Sequence, residues 1–244
     1  MLPLSTRFRI WLRLLLLQST WSYRRMQTCG WLWAAMPGLS GSERRRADLL
    51  RQASTHFNTH PMLAPLIVGA ALSELHRDPP DPDAAREHLT RWMGTFGALG
   101  DMLYWQGLSW CFAGASVLLW LAGGTHAVLA LAAAWLVGEG WLRWWLLNRG
   151  IHQPENIAET MKLLAKPRIR RGLNNTGLAT GLFGAGILVG QLATAEQDPL
   201  IATLLVATAA LAGAWIGSRS LMRSAPIWFV LASGLAVAAA MTGG

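Results

Sequence analysis

The sequence has few charged residues. Asp, Glu, Lys and Arg make up only 14% of its 244 residues, whereas a soluble domain has about 25%. Hydrophobic residues make up 52%, and the mean hydropathy is +0.30. So few charges cannot cover a normal water-facing surface. The composition excludes a disordered chain and predicts an integral membrane protein.

Cysteine, tyrosine and lysine are also scarce. The two cysteines, Cys29 and Cys111, lie far apart among apolar neighbours, which excludes a disulfide scaffold and predicts inert thiols. Two tyrosines stand against 14 tryptophans, the side chain that settles at membrane–water interfaces. All cationic residues except Lys162 and Lys166 are arginines, and they flank apolar stretches. The net charge of +8 therefore predicts cytoplasmic loops and no nucleic-acid partner.

The N-terminal segment has helical periodicity. Its apolar face contains Phe8, Trp11, Leu12, Leu15 and Leu16, with Arg9 and Arg13 near the opposite side. We predict that residues 5–18 form an amphipathic helix lying in the membrane interface. The alternative is a short first spanning helix, in which Arg13 would need a buried partner.

The rest of the first half contains only short apolar stretches. Residues 61–75 are too few to cross a bilayer, which leaves a soluble core helix or a re-entrant segment buried in protein. A loop rich in proline and aspartate follows, and a helix is predicted to start near Asp83.

The second half contains about five stretches of spanning length. They are residues 103–122, 127–147, 173–194, 200–217 and 225–242. Basic residues gather in the 148–172 loop, which predicts that this loop and the N-terminus are cytoplasmic and the C-terminus is outside.

The predicted fold is therefore an all-α integral membrane protein. Residues 1–100 would form an amphipathic and re-entrant helical region, mainly on the cytoplasmic side. Residues 101–244 would form the transmembrane region.

Three motifs have competing interpretations. The pairs Gly177/Gly181 and Gly186/Gly190 allow close helix packing, within the chain or, less favoured, between subunits. His56 and His60 have the spacing of metal ligands, but no third ligand is near and Pro61 follows, so no metal site is predicted. The string FNTHP instead indicates a helix ending in a turn, where Asn58 and Thr59 would bond exposed backbone groups.

Two carboxylates lie within apolar sequence. Asp101 ends the string MGTFGALGD, which indicates a re-entrant hairpin tip beside a polar pathway or, equally, a helix N-cap. Glu139 precedes Arg143 by four residues, which predicts an ion pair along one helix, with a transport role second.

Three blocks together resemble a known family. They are QSTWSYRRMQTCGWLWAAMPGL at 18–39, FNTHPMLAPLIVGAALSEL at 57–75 and RWMGTFGALGDMLYWQGL at 91–108. Their order and spacing, with the preceding amphipathic helix, are similar to the IID membrane component of mannose/fructose/sorbose-type sugar phosphotransferase systems (PTS). The resemblance covers residues 5–125.

The sequence departs from the family pattern at several positions. Ser22 replaces an asparagine, Arg24 a glutamate and Thr95 a proline, and a usual acidic pair is reduced to Glu74. These departures motivate a second hypothesis, a regulatory or sensory membrane protein that keeps the IID fold without net sugar transport.

The resemblance implies a non-catalytic subunit in the bacterial inner membrane. It would assemble with a IIC subunit in a symmetric oligomer and translocate a mannose-type hexose. IIB, itself phosphorylated by IIA from phosphoenolpyruvate, would phosphorylate the sugar at the inner face. No catalytic constellation, phospho-acceptor, cofactor or metal site is predicted in this chain.

The resemblance also selects candidate site residues. Those proposed to contact the sugar or IIC are Trp21, Tyr23, Gln27, Asn58, His60 and Asp101. Those proposed to fix the backbone are Met26, Pro61, Gly94, Gly97 and Gly100.

Overall fold

The regular elements of the computed structural model, which describes residues 2–195, are helices. The α-helices are α1 (Leu4–Leu15), α2 (Thr28–Ala35), α3 (Glu43–Ala53), α4 (Ala64–Leu75), α5 (Pro82–Leu103), α6 (Ser109–His152), α7 (Ile157–Leu164) and α8 (Pro167–Ala195). A π-helical turn at Tyr104–Leu108 joins α5 to α6, and 3-10 turns lie at Met36–Gly38 and Pro154–Asn156. The predicted all-helical class is confirmed over the described residues.

The chain forms two compact units that interleave in sequence. Unit 1 contains Met1–Asp101 and Ala134–Lys166. Unit 2 begins with Met102–Ala133 and resumes at Pro167. The predicted division into residues 1–100 and 101–244 concerns placement in a membrane and stays a prediction.

Helix α4 forms the core of unit 1. Eleven of its twelve residues are buried, so its apolar sequence has no polar face to present to water. It packs closely on the end of α6. A Cβ on Gly69 would lie 2.6 Å from the Leu147 carbonyl oxygen, and a Cβ on Gly150 would overlap the Leu66 carbonyl oxygen. Both interpretations of residues 61–75 required burial in protein, which α4 has; its depth in a membrane stays a prediction.

Helix α1 has two apolar faces. Ile10 and Leu14 are buried inside unit 1, whereas Phe8, Leu12 and Leu15 remain exposed. Its polar side chains fix it to the rest of the unit: the Trp11 indole N–H donates to the carbonyl oxygen of residue 140 at 3.0 Å, and Arg7 donates to Asn148. Arg13 donates to the Trp33 carbonyl oxygen at 2.8 Å. The exposed face agrees with the predicted amphipathic pattern.

One helical stretch is long and apolar enough to cross a membrane among residues 2–195. It runs from Pro82 to His152. An 18-residue part of it has a mean hydropathy of 1.8, and none of the residues in that part are buried. Gly124, with φ 63° and ψ −157°, interrupts α6 between the predicted spans 103–122 and 127–147. The predicted spans 103–122 and 127–147 fall in this stretch, whereas 200–217 and 225–242 lie outside the described residues.

Glycines bring α8 close to the π-helical turn and to the start of α6 in unit 2. A Cβ on Gly177 would lie 2.5 Å from the carbonyl oxygen of Gly107, and one on Gly181 would lie 2.5 Å from the Trp110 ring. Small residues allow such approach where helices pack without a hydrophobic driving force. The predicted contact within the chain is confirmed for Gly177 and Gly181. The predicted span 173–194 lies in α8 and stays a prediction.

Candidate functional site

The segment 54–61 is held by Gln27, which lies 32 positions earlier than Thr59. The Gln27 amide nitrogen donates to the Thr59 carbonyl oxygen at 2.7 Å, and its amide oxygen accepts from the Thr59 N–H at 3.1 Å. Gln27 is only 1% exposed. The side chain therefore replaces a strand partner for this irregular backbone, whose polar groups would otherwise be buried without hydrogen bonds.

Thr28 continues the same contact. Its hydroxyl accepts from the Phe57 N–H at 3.1 Å and lies 3.0 Å from the Thr55 carbonyl oxygen. The Gln27 N–H donates to the Phe57 carbonyl oxygen at 2.9 Å. The prediction that FNTHP ends a helix in a turn fixed by Asn58 and Thr59 was wrong: α3 ends at Ala53, and the earlier side chains supply the hydrogen bonds.

Met26 adopts a left-handed backbone conformation, with φ 49°. Its N–H donates to the Ser22 carbonyl oxygen at 2.7 Å, and the Ser22 N–H donates back to Met26 at 3.3 Å. Such a conformation is uncommon outside glycine and needs support from its surroundings. The turn Ser22–Met26 directs the chain into Gln27, which agrees with the structural role proposed for Met26.

The glycine-rich stretch 93–101 is helical. Asp101 lies two residues before the end of α5, so the interpretations of a hairpin tip and of a helix N-cap were both wrong. The glycines instead face the 54–61 segment to different degrees. The space of a Cβ on Gly100 is occupied by His60, a Cβ on Gly97 would lie 3.7 Å from Thr59 Cα, and Gly94 has nothing within 4 Å among the described residues.

His60 is buried at the junction between the 54–61 segment and α4. Its Nδ1 accepts from the Met62 N–H at 3.3 Å, which requires the ring to be neutral with its proton on Nε2. Burial lowers the pKa of His60, while the Asp101 carboxylate acts in the opposite direction. Pro61 needs no hydrogen-bond partner for its nitrogen, which suits the turn that leads into α4.

The remaining candidate residues are exposed. Tyr23 is 87% exposed and contacts Trp21 edge to face, with ring centroids 4.8 Å apart. Asn58 and Asp101 are also exposed. The structure thus divides the predicted site residues: Gln27 and His60 are enclosed, whereas these four side chains remain available to a ligand or a partner.

The predicted ion pair of Glu139 and Arg143 is confirmed. Arg143 Nη2 lies 3.4 Å from Glu139 Oε2. The charges of both residues also act on the His60 ring. His56, by contrast, is exposed while His60 is buried, and the described residues contain no group of three ligands suited to a metal ion.

The role of Thr28, whose hydroxyl accepts from the Phe57 N–H, was missed from the sequence. The available signal was a hydroxyl at the first residue of a short apolar helix. Thr59 was expected to bond exposed backbone groups, but its hydroxyl is buried and has no hydrogen-bond partner in the described part of the chain.

The described residues define a helical protein with one unburied apolar stretch long enough to cross a membrane. It also has an irregular segment, 54–61, whose backbone is fixed by side chains of residues 27 and 28. A family model described as "PTS system mannose/fructose/sorbose family IID component" matches residues 2–195. The chain belongs to this family, as its sequence blocks predicted.

Two solved structures share the fold. One, described as "Structure of membrane protein", is 23% identical with a TM-score of 0.61, and the match covers 77% of this chain and 70% of that chain. The other is a cryo-EM structure of the mannose transporter ManYZ in complex with microcin E492 (MceA), 22% identical with a TM-score of 0.57, covering 78% and 71%. Comparison with curated proteins gives no match.

Proposed function

We propose that this chain is the IID membrane subunit of a phosphoenolpyruvate-dependent sugar phosphotransferase transporter. With a IIC subunit it translocates a mannose-type sugar, which IIB phosphorylates at the inner face after receiving phosphate from IIA. The observation that carries the proposal is the family match over residues 2–195. Likeness to the fold of a mannose transporter supports it.

The proposed sugar or IIC contacts are the accessible candidate residues. Asn58 and Asp101 can hydrogen-bond hydroxyl groups, and Trp21 can stack on an apolar sugar face. Tyr23 extends this aromatic surface. Gln27 has a different role, because both its amide atoms already bond Thr59. We assign it, with Met26, Pro61, Gly97 and Gly100, to fixing the segment that encloses His60 and presents Asn58.

The proposed membrane placement rests on α1 and on the arginines. The exposed stripe of Phe8, Leu12, Leu15 and Leu16 suits a helix lying in the interface of the bacterial inner membrane. Basic residues in the 148–172 segment, which contains the end of α6, all of α7 and the start of α8, favour a cytoplasmic position for that segment. The N-terminus is then cytoplasmic and the C-terminus outside.

The proposal assigns no phosphoryl-transfer step to this chain. Its task is to form the translocation unit with IIC, in a symmetric oligomer, while the phosphocarriers perform the chemistry. The regulatory alternative, a IID fold without net sugar flux, differs from this proposal in one measurable respect: it requires no uptake.

Uptake in cells and vesicles tests the proposal. Deletion of this chain should abolish phosphate-donor-dependent uptake of a mannose-type sugar. Expression of this chain together with IIC should restore that uptake. Uptake that continues at the wild-type rate after deletion would exclude the transport function. A chain that binds IIC but alters only gene expression would favour the regulatory alternative.

Asp101→Asn tests the site within the same assay. We expect this change to reduce uptake at least about tenfold, because a charge-assisted hydrogen bond is replaced by a neutral one. Glu43→Gln on the exposed start of α3 is the control and should leave uptake unchanged. Equal and negligible effects would remove Asp101 from the site.

A further inference from the structure

Unit 1 contains two Glu–Arg pairs with the same spacing and different surroundings. Glu87 and Arg91 lie 3.5 Å apart on α5, with 69% and 66% of their side chains exposed. Glu139 and Arg143 lie 3.4 Å apart on α6, with only 16% and 14% exposed. Water solvates the first pair on its open sides. The second pair depends on neighbouring groups for its remaining hydrogen bonds.

Those hydrogen bonds are missing within the described residues. Glu139 Oε1 and Arg143 Nε are both buried and have no partner there. A buried charged group with an unused acceptor or donor is costly. Both residues lie within the predicted span 127–147, where an ionisable residue marks a functional site by default, whereas Glu87 and Arg91 lie in no predicted span.

Other groups around this pair suit a polar ligand with an apolar face. His60 lies close enough to the pair for the charges of Arg143 and Glu139, together with that of Asp101, to act on its ring. Trp135 lies one helical turn before Glu139 on the same face of α6. Carboxylate, guanidinium and aromatic groups together match the hydroxyls and apolar ring face of a sugar.

We propose that Glu139 and Arg143 bind two adjacent hydroxyl groups of the transported sugar. Glu139 Oε1 accepts a hydrogen bond from one hydroxyl, and Arg143 Nε donates to the oxygen of the next. A hydroxyl can both donate and accept, so a vicinal diol can donate to Glu139 Oε1 and accept from Arg143 Nε, whereas an ammonium group can only donate and a carboxylate can only accept. This inference rests on the proposed transport function and extends its site beyond the residues selected by sequence resemblance.

Calorimetric titration of the purified complex with IIC tests the proposal. The probes are D-mannose and its monodeoxy analogues, and the variants are Glu139→Gln and the matched Glu87→Gln. Glu139→Gln should raise the Kd for D-mannose at least about tenfold, as loss of a charge-assisted hydrogen bond does. For the analogue that lacks the bound hydroxyl, wild type and Glu139→Gln should bind equally. Glu87→Gln should leave every Kd within about twofold of wild type.

A double variant keeps the test valid if a lone buried charge prevents folding. Glu139→Gln with Arg143→Gln leaves neither charge unpaired and should keep the thermal midpoint of the complex while losing mannose affinity. Unchanged affinity in this variant, or an equal loss for every deoxy analogue, would overturn the proposal. The proposal would also be overturned if this variant no longer assembled with IIC but still bound mannose with the wild-type Kd. Absence of mannose binding by the wild-type complex would instead mark failure of the transport function itself, and the inference would fall with it.

Discussion

Two adjacent segments of unit 1 form the candidate site, and they are held in opposite ways. Residues 54–61 are irregular, and side-chain hydrogen bonds from Gln27 and Thr28 fix their backbone. Residues 93–101 are regular helix, and their contact depends on a missing side chain, because His60 fills the space beside Gly100. One segment needs particular atoms to be present; the other needs an atom to be absent.

The difference teaches how substitutions should act at this site. Removing polar atoms should damage the first segment, since it leaves buried backbone groups without partners. Adding even a methyl group should damage the second, since a packed interior has no room for it. The contrast can be tested with conservative changes in both segments.

The largest effect is expected for Gln27→Leu. The change keeps the size of the side chain but leaves the Thr59 N–H and carbonyl oxygen unpaired, so the free energy of unfolding should fall by about 2–4 kcal/mol. Gln52→Leu, on an exposed position of α3, should change it by less than about 0.5 kcal/mol. Unfolding of the purified protein in detergent measures both, and equal effects would contradict the role of Gln27.

Gly100→Ala should have the next largest effect. Its Cβ would collide with the Cβ and ring of His60, atoms too close to the backbone to move freely. Crowding of this kind costs about 1–3 kcal/mol, which outweighs the gain in helix propensity. The expected result is a lower thermal midpoint of unfolding in detergent. A higher midpoint would show that the 54–61 segment can move to make room for the methyl group.

The third effect is a dependence of stability on pH through His60. Burial lowers the pKa of His60 below its usual value of 6.5, so the unfolded chain takes up a proton first as the pH falls. Stability is therefore present above about pH 6.5 and is lost as the pH drops through the folded-state pKa, by at most about 1.4 kcal/mol per pH unit. Protonation also removes the Nδ1 acceptor used by Met62.

His60→Asn is the matching variant for this prediction. Asparagine does not titrate and offers an amide oxygen where Nδ1 accepts. Unfolding midpoints measured between pH 5 and 7.5 should fall less steeply for the variant than for wild type. Parallel curves would assign the acid sensitivity to other groups.

The smallest effect is expected for Gly94→Ala, and it has the opposite sign to that of Gly100→Ala. Nothing among the described residues lies within 4 Å of the added methyl group, so alanine should stabilise α5 by up to about 1 kcal/mol. The same detergent unfolding assay measures it. A lower free energy of unfolding for Gly94→Ala than for wild type, measured on the purified chain without IIC, would contradict the open position of Gly94.

Local patterns predicted several features correctly. The four-residue spacing of Glu139 and Arg143 gave their ion pair, and the spacing of Phe8, Leu12 and Leu15 gave a common exposed face on α1. Both follow from the period of one helix, which needs no information about the rest of the fold. The three conspicuous blocks likewise predicted the family.

Other features could not be predicted, because they join residues distant in sequence. Gln27 was proposed for a sugar or IIC contact, and Gly94, Gly97 and Gly100 were proposed as a set. Only the packing of the 54–61 segment against α2 and α5 assigns Gln27 to Thr59 and separates the tight Gly100 from the open Gly94. It also shows that Asp101 lies inside a helix.

The sequence by itself therefore determined the helical membrane class, the family and the contacts made along single helices. These depend on composition, periodicity and short spacing. The tertiary structure decided which polar side chains are enclosed by backbone and which stay available, and which glycine is crowded. Those properties depend on what lies opposite each residue, and a neighbour supplied by a distant part of the chain leaves no mark in the local sequence.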